Sequence, residues 1–139
     1  MKFVMAVFGK ETEHFSKIND HNVAYSYVTW DEIKELSESG IVEIANHTYN
    51  LHKISERKGA KIKPGESQES YAKIFNEDVS SLQNMLTKNS DITPITFVYP
   101  YGFFCEESEN LLNHMGFNIS FTCNEGINMI NKNSSLRLL

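Results

Sequence analysis

His47 and His52 form the only close histidine pair in a 139-residue chain that carries five histidines. A neutral imidazole nitrogen ligates zinc and similar divalent ions, so two imidazoles brought together can share one ion. The spacing restricts how. On a regular α-helix, residues five apart are turned by about 140° from each other. His47 and His52 can therefore meet only across a strand-to-loop corner or a bulged helical turn. Taken alone, the pair reads either as a metal site or as two ordinary histidines. A second unusual segment is Tyr99-Pro100-Tyr101-Gly102, where a proline and a glycine interrupt an aromatic run.

Both segments follow predicted strands. Ile41–Asn46 reads as a short apolar strand that delivers His47 at its C-terminal end, and Ile95–Tyr99 as another, whose pairing Pro100 ends. Lys2–Phe8 is a third strand, closed by Gly9, and Phe117–Thr122 a fourth; Ser135–Leu139 starts one more. Thr12–Asp20 is a short helix. Thr29 N-caps a clearer one, with Glu32 at the capping-box spacing and Gly40 as its stop. The longest helix covers Ser67–Lys88, where Tyr71, Ile74, Phe75, Val79, Leu82 and Leu86 recur at spacings of three and four. Glu106–Met115 is the last, with Gly116 after it. Alternating strands and helices imply an α/β fold with a largely parallel sheet. In such folds the loops at the strands' C-terminal ends carry the chemistry, and that is where both unusual segments lie.

Composition sets outer limits. Hydrophobic residues make up 40% and charged residues 22%, enough for a packed core in one domain spanning residues 1–139. Thirteen Lys and Arg stand against 18 acids, a net charge of −5 that argues against a nucleic-acid partner. The apolar run Phe3–Phe8 falls short of the roughly 20 residues of a membrane span and of a secretory core segment. Cys105 and Cys123 lie 18 positions apart and read as buried, reduced thiols.

Several ordered segments together resemble the polysaccharide deacetylases, carbohydrate esterase family four. Val42–His52 resembles the family's second motif, a strand ending in His-Ser/Thr followed by another histidine, with one more intervening residue than the usual His-x-x-x-His. Phe3–Gly9 is similar to the strand after the first motif, and Val28–Ile33 to the helix start before the second. Phe97–Gly102 resembles the third motif, Pro-Tyr/Trp-Gly, and Gly116-Phe117 with Phe121-Thr122 the strand beyond it. The resemblance implies a partial, distorted (β/α) barrel with mostly parallel strands. It implies a hydrolase that removes acetyl groups from amino sugars or acetylated polysaccharide. It also implies one divalent ion, zinc first and cobalt, nickel or manganese as alternatives, held in part by His47 and His52. The residue after the motif-three proline, Tyr101, would supply a backbone N–H to an oxyanion hole. Family members usually act outside the cytoplasm or at the cell envelope.

The family's Thr-Phe-Asp-Asp-Gly motif, which supplies a base and a carboxylate ligand, would precede Lys2. No arginine stands ahead of the third motif, no Asp-x-x-Asp-Trp follows it, and Leu136-Arg137-Leu138 lies near the expected place of a closing Leu-x-His. The chain is therefore expected to be a truncated domain or a decayed relative. Poor activity on its own, an ion that is weakly held or absent, and self-association through open strand edges are expected with it. A non-catalytic carbohydrate-binding relative is the alternative reading, and a plain α/β interaction module a third. Tyr49, Tyr99 and Tyr101 line a sugar groove or pack as ordinary loop residues. Glu43 shares strand parity with His47 and faces the site or forms a strand-end salt bridge. His14, His21 and His114 read as solvated.

Overall fold

The computed structural model describes residues 2–18 and 20–139. The elements run β1 (Phe3–Val7), α1 (Gly9–Ile18), α2 (Trp30–Glu38), β2 (Val42–Asn46), α3 (Gln68–Ser90), β3 (Thr96–Val98), a 3-10 turn (Pro100–Gly102), α4 (Glu106–His114) and β4 (Ile119–Phe121). The strands form one sheet in the order β1-β2-β3-β4 with every pairing parallel. The sheet does not close, so the architecture is an open part of a β/α barrel. His47 N–H donates to the Val7 carbonyl at 3.0 Å, extending the β1–β2 ladder one step into the functional loop.

Helix α3 crosses the sheet and organises the core. Its Tyr71, Phe75 and Val79 pack with Phe97, Tyr99, Leu112 and Phe117. One turn further on, its Leu82 and Leu86 pack with Val7, Ile33, Val42 and Ile44. Phe75, Val79, Leu82 and Leu86 have no exposed surface, and each side chain buried to that degree contributes roughly 1.5–3 kcal/mol. The ends of the helix obey local chemistry. Ser67 caps it by accepting from Ser70 N–H, and Asp91 stops it in the left-handed conformation at φ 56°. Helix α2 begins with the expected capping box of Thr29 and Glu32.

Two expectations are corrected. Helix α1 starts at Gly9 rather than Thr12, because a tertiary contact satisfies its first amides: Gly9 and Lys10 N–H donate to the Thr48 and Tyr49 carbonyls at 3.1 and 2.9 Å. The expected C-terminal end of this helix includes Asn19, outside the described residues. Ser135–Leu139 is not a regular strand. It lies along β4, with Ser120 N–H donating to the Leu136 carbonyl and Leu139 N–H to the Ser120 carbonyl, but Leu138 takes φ 59° and breaks the extended run. Among the described residues no helix is long and apolar enough to cross a membrane.

Candidate functional site

Strand β2 ends in a residue that bolts it down. Asn46 is fully buried, and its side-chain amide donates to the Val79 carbonyl and to Gln83 Oε1 on α3, both at 3.1 Å. Its own Oδ1 accepts Thr48 N–H at 2.9 Å, the bond that turns the chain. Thr48 follows at φ 72° and is fully buried. A β-branched residue in that region is strained and persists only where its surroundings hold it. They do: the carboxylate of Asp78 accepts the next two amides, Tyr49 N–H at 2.8 Å and Asn50 N–H at 2.9 Å. The chain thus doubles back, and the extra residue between the histidines is taken up in a bend, not a helix.

The result is convergence. The His47 and His52 rings lie 4.9 Å apart between centroids, inclined at 59°. His47 Nδ1 sits 2.7 Å from the Val98 carbonyl at the end of β3. A carbonyl can only accept, so Nδ1 carries the hydrogen and Nε2 is left with its lone pair. Burial is the main force pushing the His47 pKa below its ordinary value. The nearby His52 adds to that effect, and the bond to Val98 opposes it. His47 is therefore neutral at pH 7, the form that ligates a metal.

The second predicted segment closes the same end of the sheet. Pro100–Gly102 forms a 3-10 turn with Gly102 N–H donating to Tyr99 C=O and Phe103 N–H to Pro100 C=O. Tyr101 sits at φ 57°, ψ 13°, and its ring lies 4.4 Å from that of His52. The turn is clasped on both sides. A Cβ on Gly59 would come 2.6 Å from the Pro100 carbonyl oxygen, and one on Gly102 2.6 Å from the Cys123 nitrogen. Two non-glycine residues in left-handed backbone, Thr48 and Tyr101, thus flank the histidine pair from adjacent strand ends.

Other candidates lie elsewhere. Tyr99 is fully buried and belongs to the core, its hydroxyl donating to Glu109 at 2.7 Å, so it lines no groove. Tyr49 donates to Glu13 at 2.7 Å. Glu43 forms neither a site contact nor a salt bridge among the described residues; it accepts from the Thr96 hydroxyl. His14, His21 and His114 are exposed as expected, and His21 pairs with Glu32 at 3.1 Å. Both thiols are free, but Cys105, at the N-cap of α4 and packed against the core cluster, is only half-buried, and Cys123 is exposed. Asp78 was not singled out from sequence. Its signal is an acid three residues after Phe75 and four before Leu82, on the helix's apolar stripe. Burial raises its pKa against the opposing pull of the Tyr49 and Asn50 amides and Lys53. Among the described residues no third His, Cys, Asp or Glu joins the pair to complete a metal-binding group.

A family model for polysaccharide deacetylase matches residues 1–120. The poly-β-1,6-N-acetyl-D-glucosamine N-deacetylase of Staphylococcus aureus is 28% identical over 114 residues, which cover 82% of this chain and 37% of that protein. The Escherichia coli protein of the same description is 25% identical over 126 residues, covering 80% of this chain and 19% of its own length. The chain thus spans well under half of the curated relatives it matches. Among solved structures, IcaB from Ammonifex degensii superposes with a TM-score of 0.78 at 23% identity, over 99% of this chain and 55% of that one. A de-N-acetylase from Aggregatibacter actinomycetemcomitans gives a TM-score of 0.78 at 25% identity, over 99% of this chain and 58% of that one.

Proposed function

The chain belongs to the polysaccharide deacetylase family, and from that premise we propose that it carries the histidine end of an active site that hydrolyses acetamido groups on a polymer of N-acetylglucosamine. In that reaction water adds to the acetyl carbonyl carbon, the C–N bond breaks, and acetate and a free amine result. The family is metal-dependent. The donors here fit a zinc-class ion as part of its shell: two converging imidazoles, one of them neutral with Nε2 free. We assign His47 and His52 as two of its ligands, with zinc first and cobalt, nickel or manganese suited to the same donors. When bound, such an ion polarises the acetyl oxygen and lowers the pKa of its water to about 7.

The chain's own residues supply the rest of what can be assigned. The Val98 carbonyl fixes the His47 tautomer, as second-shell acceptors do in metal sites. The Asp78 carboxylate and the Asn46 amide hold the loop that brings His52 back. Tyr101 N–H takes no part in the bonds that close its turn, and we assign it to the oxygen that gains negative charge during attack. No residue of this site is assigned as the base that takes the water's proton or the acid that protonates the amine.

The convergence of His47 with His52 is the observation that carries this reading. One observation favours a second, a carbohydrate-binding relative without turnover: a catalytic zinc normally keeps three protein ligands, and among the described residues only two meet. Cobalt titration of the chelated protein, followed by visible absorption, tests the shared premise. The wild-type chain should develop a ligand-field spectrum that His47→Ala and His52→Ala both lose; a wild type with no spectrum sinks the metal assignment. Acetate release from a β-1,6-linked N-acetylglucosamine oligomer then separates the readings. Turnover abolished by His47→Ala establishes the hydrolase, whereas oligomer binding without turnover favours the binding relative.

A further inference from the structure

The histidine pair sits in the middle of a row of aromatic rings that the metal reading does not use. Phe8, the residue after β1, lies 5.3 Å from His52, and Tyr27 lies 6.2 Å from Phe8 at 70°. On the other side Tyr101 is 4.4 Å from His52, and Phe103 is 6.5 Å from Tyr101. The rings therefore form an unbroken path, Tyr27–Phe8–His52–Tyr101–Phe103, across the strand ends. Its members come from four separate parts of the chain.

Tyr27 is the member for which the fold supplies no internal purpose. Its ring is braced by Phe15, stacked at 5.8 Å and 30°, and edge-on by Phe8, yet Tyr27 keeps 45% of its surface exposed. A single exposed tyrosine is ordinary; one held in place and joined through Phe8 to a reactive centre is not. Tyr27 also lines an open cavity of about 420 Å³ together with Ser26, Glu32 and Glu35, a volume within the range of small-ligand sites. The Ser26 hydroxyl is shielded from solvent and makes no hydrogen bond within the described residues, although buried hydroxyls are nearly always paired. An aromatic face beside an unpaired hydroxyl and the Glu35 carboxylate matches a pyranose. The C–H face of such a ring is apolar and suits an aromatic surface, while its edge presents hydroxyls that donate and accept.

We propose that Tyr27, braced by Phe8 and Phe15 and assisted by the Ser26 hydroxyl, is a stacking platform for a neighbouring sugar ring of the same glycan whose acetyl group meets the histidine pair. The site then reads several residues of the polymer, not one. This rests on the glycan substrate named above, and its test keeps the two ideas apart. Affinities for β-1,6-linked N-acetylglucosamine oligomers of increasing length are measured by calorimetry on the wild-type chain and on Tyr27→Ala, Tyr27→Trp and Ser26→Ala. The wild type should bind longer oligomers more tightly than the monosaccharide. Tyr27→Ala should lose about tenfold on the tetramer and nothing on the monosaccharide. Tyr27→Trp should preserve the gain with length, and Ser26→Ala should reduce it. Equal weakening at every length, no weakening in Tyr27→Ala, or no binding of any oligomer overturns the proposal. Cobalt binding by the same variants should match the wild type; a wild type that binds oligomers with the Tyr27-dependent gain in length but takes up no cobalt strikes the metal assignment and supports this proposal.

Discussion

At the residue scale, the site depends on side chains that do not themselves react. Asn46 anchors, Val98 C=O fixes a tautomer, and Asp78 holds two amides with one carboxylate. Asp78 also yields a pH prediction. Burial raises its folded pKa above the unfolded value of about 3.9, so in the window between them the folded state binds more protons than the unfolded one. Its contribution to stability is then full below about pH 3.9 and is lost as pH rises through the folded value. Asn cannot titrate. Urea denaturation should therefore show the wild type gaining on Asp78→Asn as the pH is lowered from 7 toward 4, and a stability gap that is constant over this range would refute the burial argument. The place of His47 at the end of β2 was legible from sequence because a strand end followed by a polar stop is a local pattern. Asp78 was not, because its partners stand 28 and 29 residues away and nothing in a helical stripe announces which loop will cover it.

At the element scale, the strands and helices were legible wherever apolar periodicity decides them, which is why α2, α3 and α4 begin within a residue of their expected starts. The misses came where tertiary contacts overrode local pattern. Helix α1 gains its first turn from another loop, whose Thr48 and Tyr49 carbonyls accept the Gly9 and Lys10 amides. Tyr99 is a miss of a different kind: it shares strand parity with the buried Phe97, so its inward course was available from alternation alone. The convergence of residues five apart could not be read from spacing; it depends on Thr48 accepting a left-handed backbone. The turn that carries Tyr101 depends likewise on its neighbours. Gly59 stands at φ 54° with no room for a Cβ beside the Pro100 carbonyl. Gly59→Ala should lower stability by about 1 kcal/mol or more and displace the Pro100–Gly102 turn from His52. Urea denaturation together with oligomer affinity checks this, and an alanine variant of wild-type stability and affinity would show that the contact yields freely.

At the scale of the whole molecule, the parallel order of the sheet was legible from the alternation of elements, and its openness is the feature with consequences for behaviour. Among the described residues β1 has a strand partner on one side only, and Phe3 and Val4 on it are 47% and 40% exposed. An uncovered edge with apolar side chains is a template for another chain. Light scattering should therefore show a mass that rises with concentration above the 15.9 kDa of one chain, and Val4→Lys should suppress the rise; a concentration-independent monomer would count against it. The edge matters to the centre because of one small knot. The Gly9 and Lys10 amides close on the Thr48 and Tyr49 carbonyls, and so β1, the start of α1 and the histidine loop are laced into a single cooperative unit. The loop cannot open without releasing the first turn of α1, and the outermost strand cannot peel away without pulling on the loop. Such units open together or not at all. Whatever steadies or frays the margin of this sheet therefore sets the fraction of time for which the two imidazoles face one another.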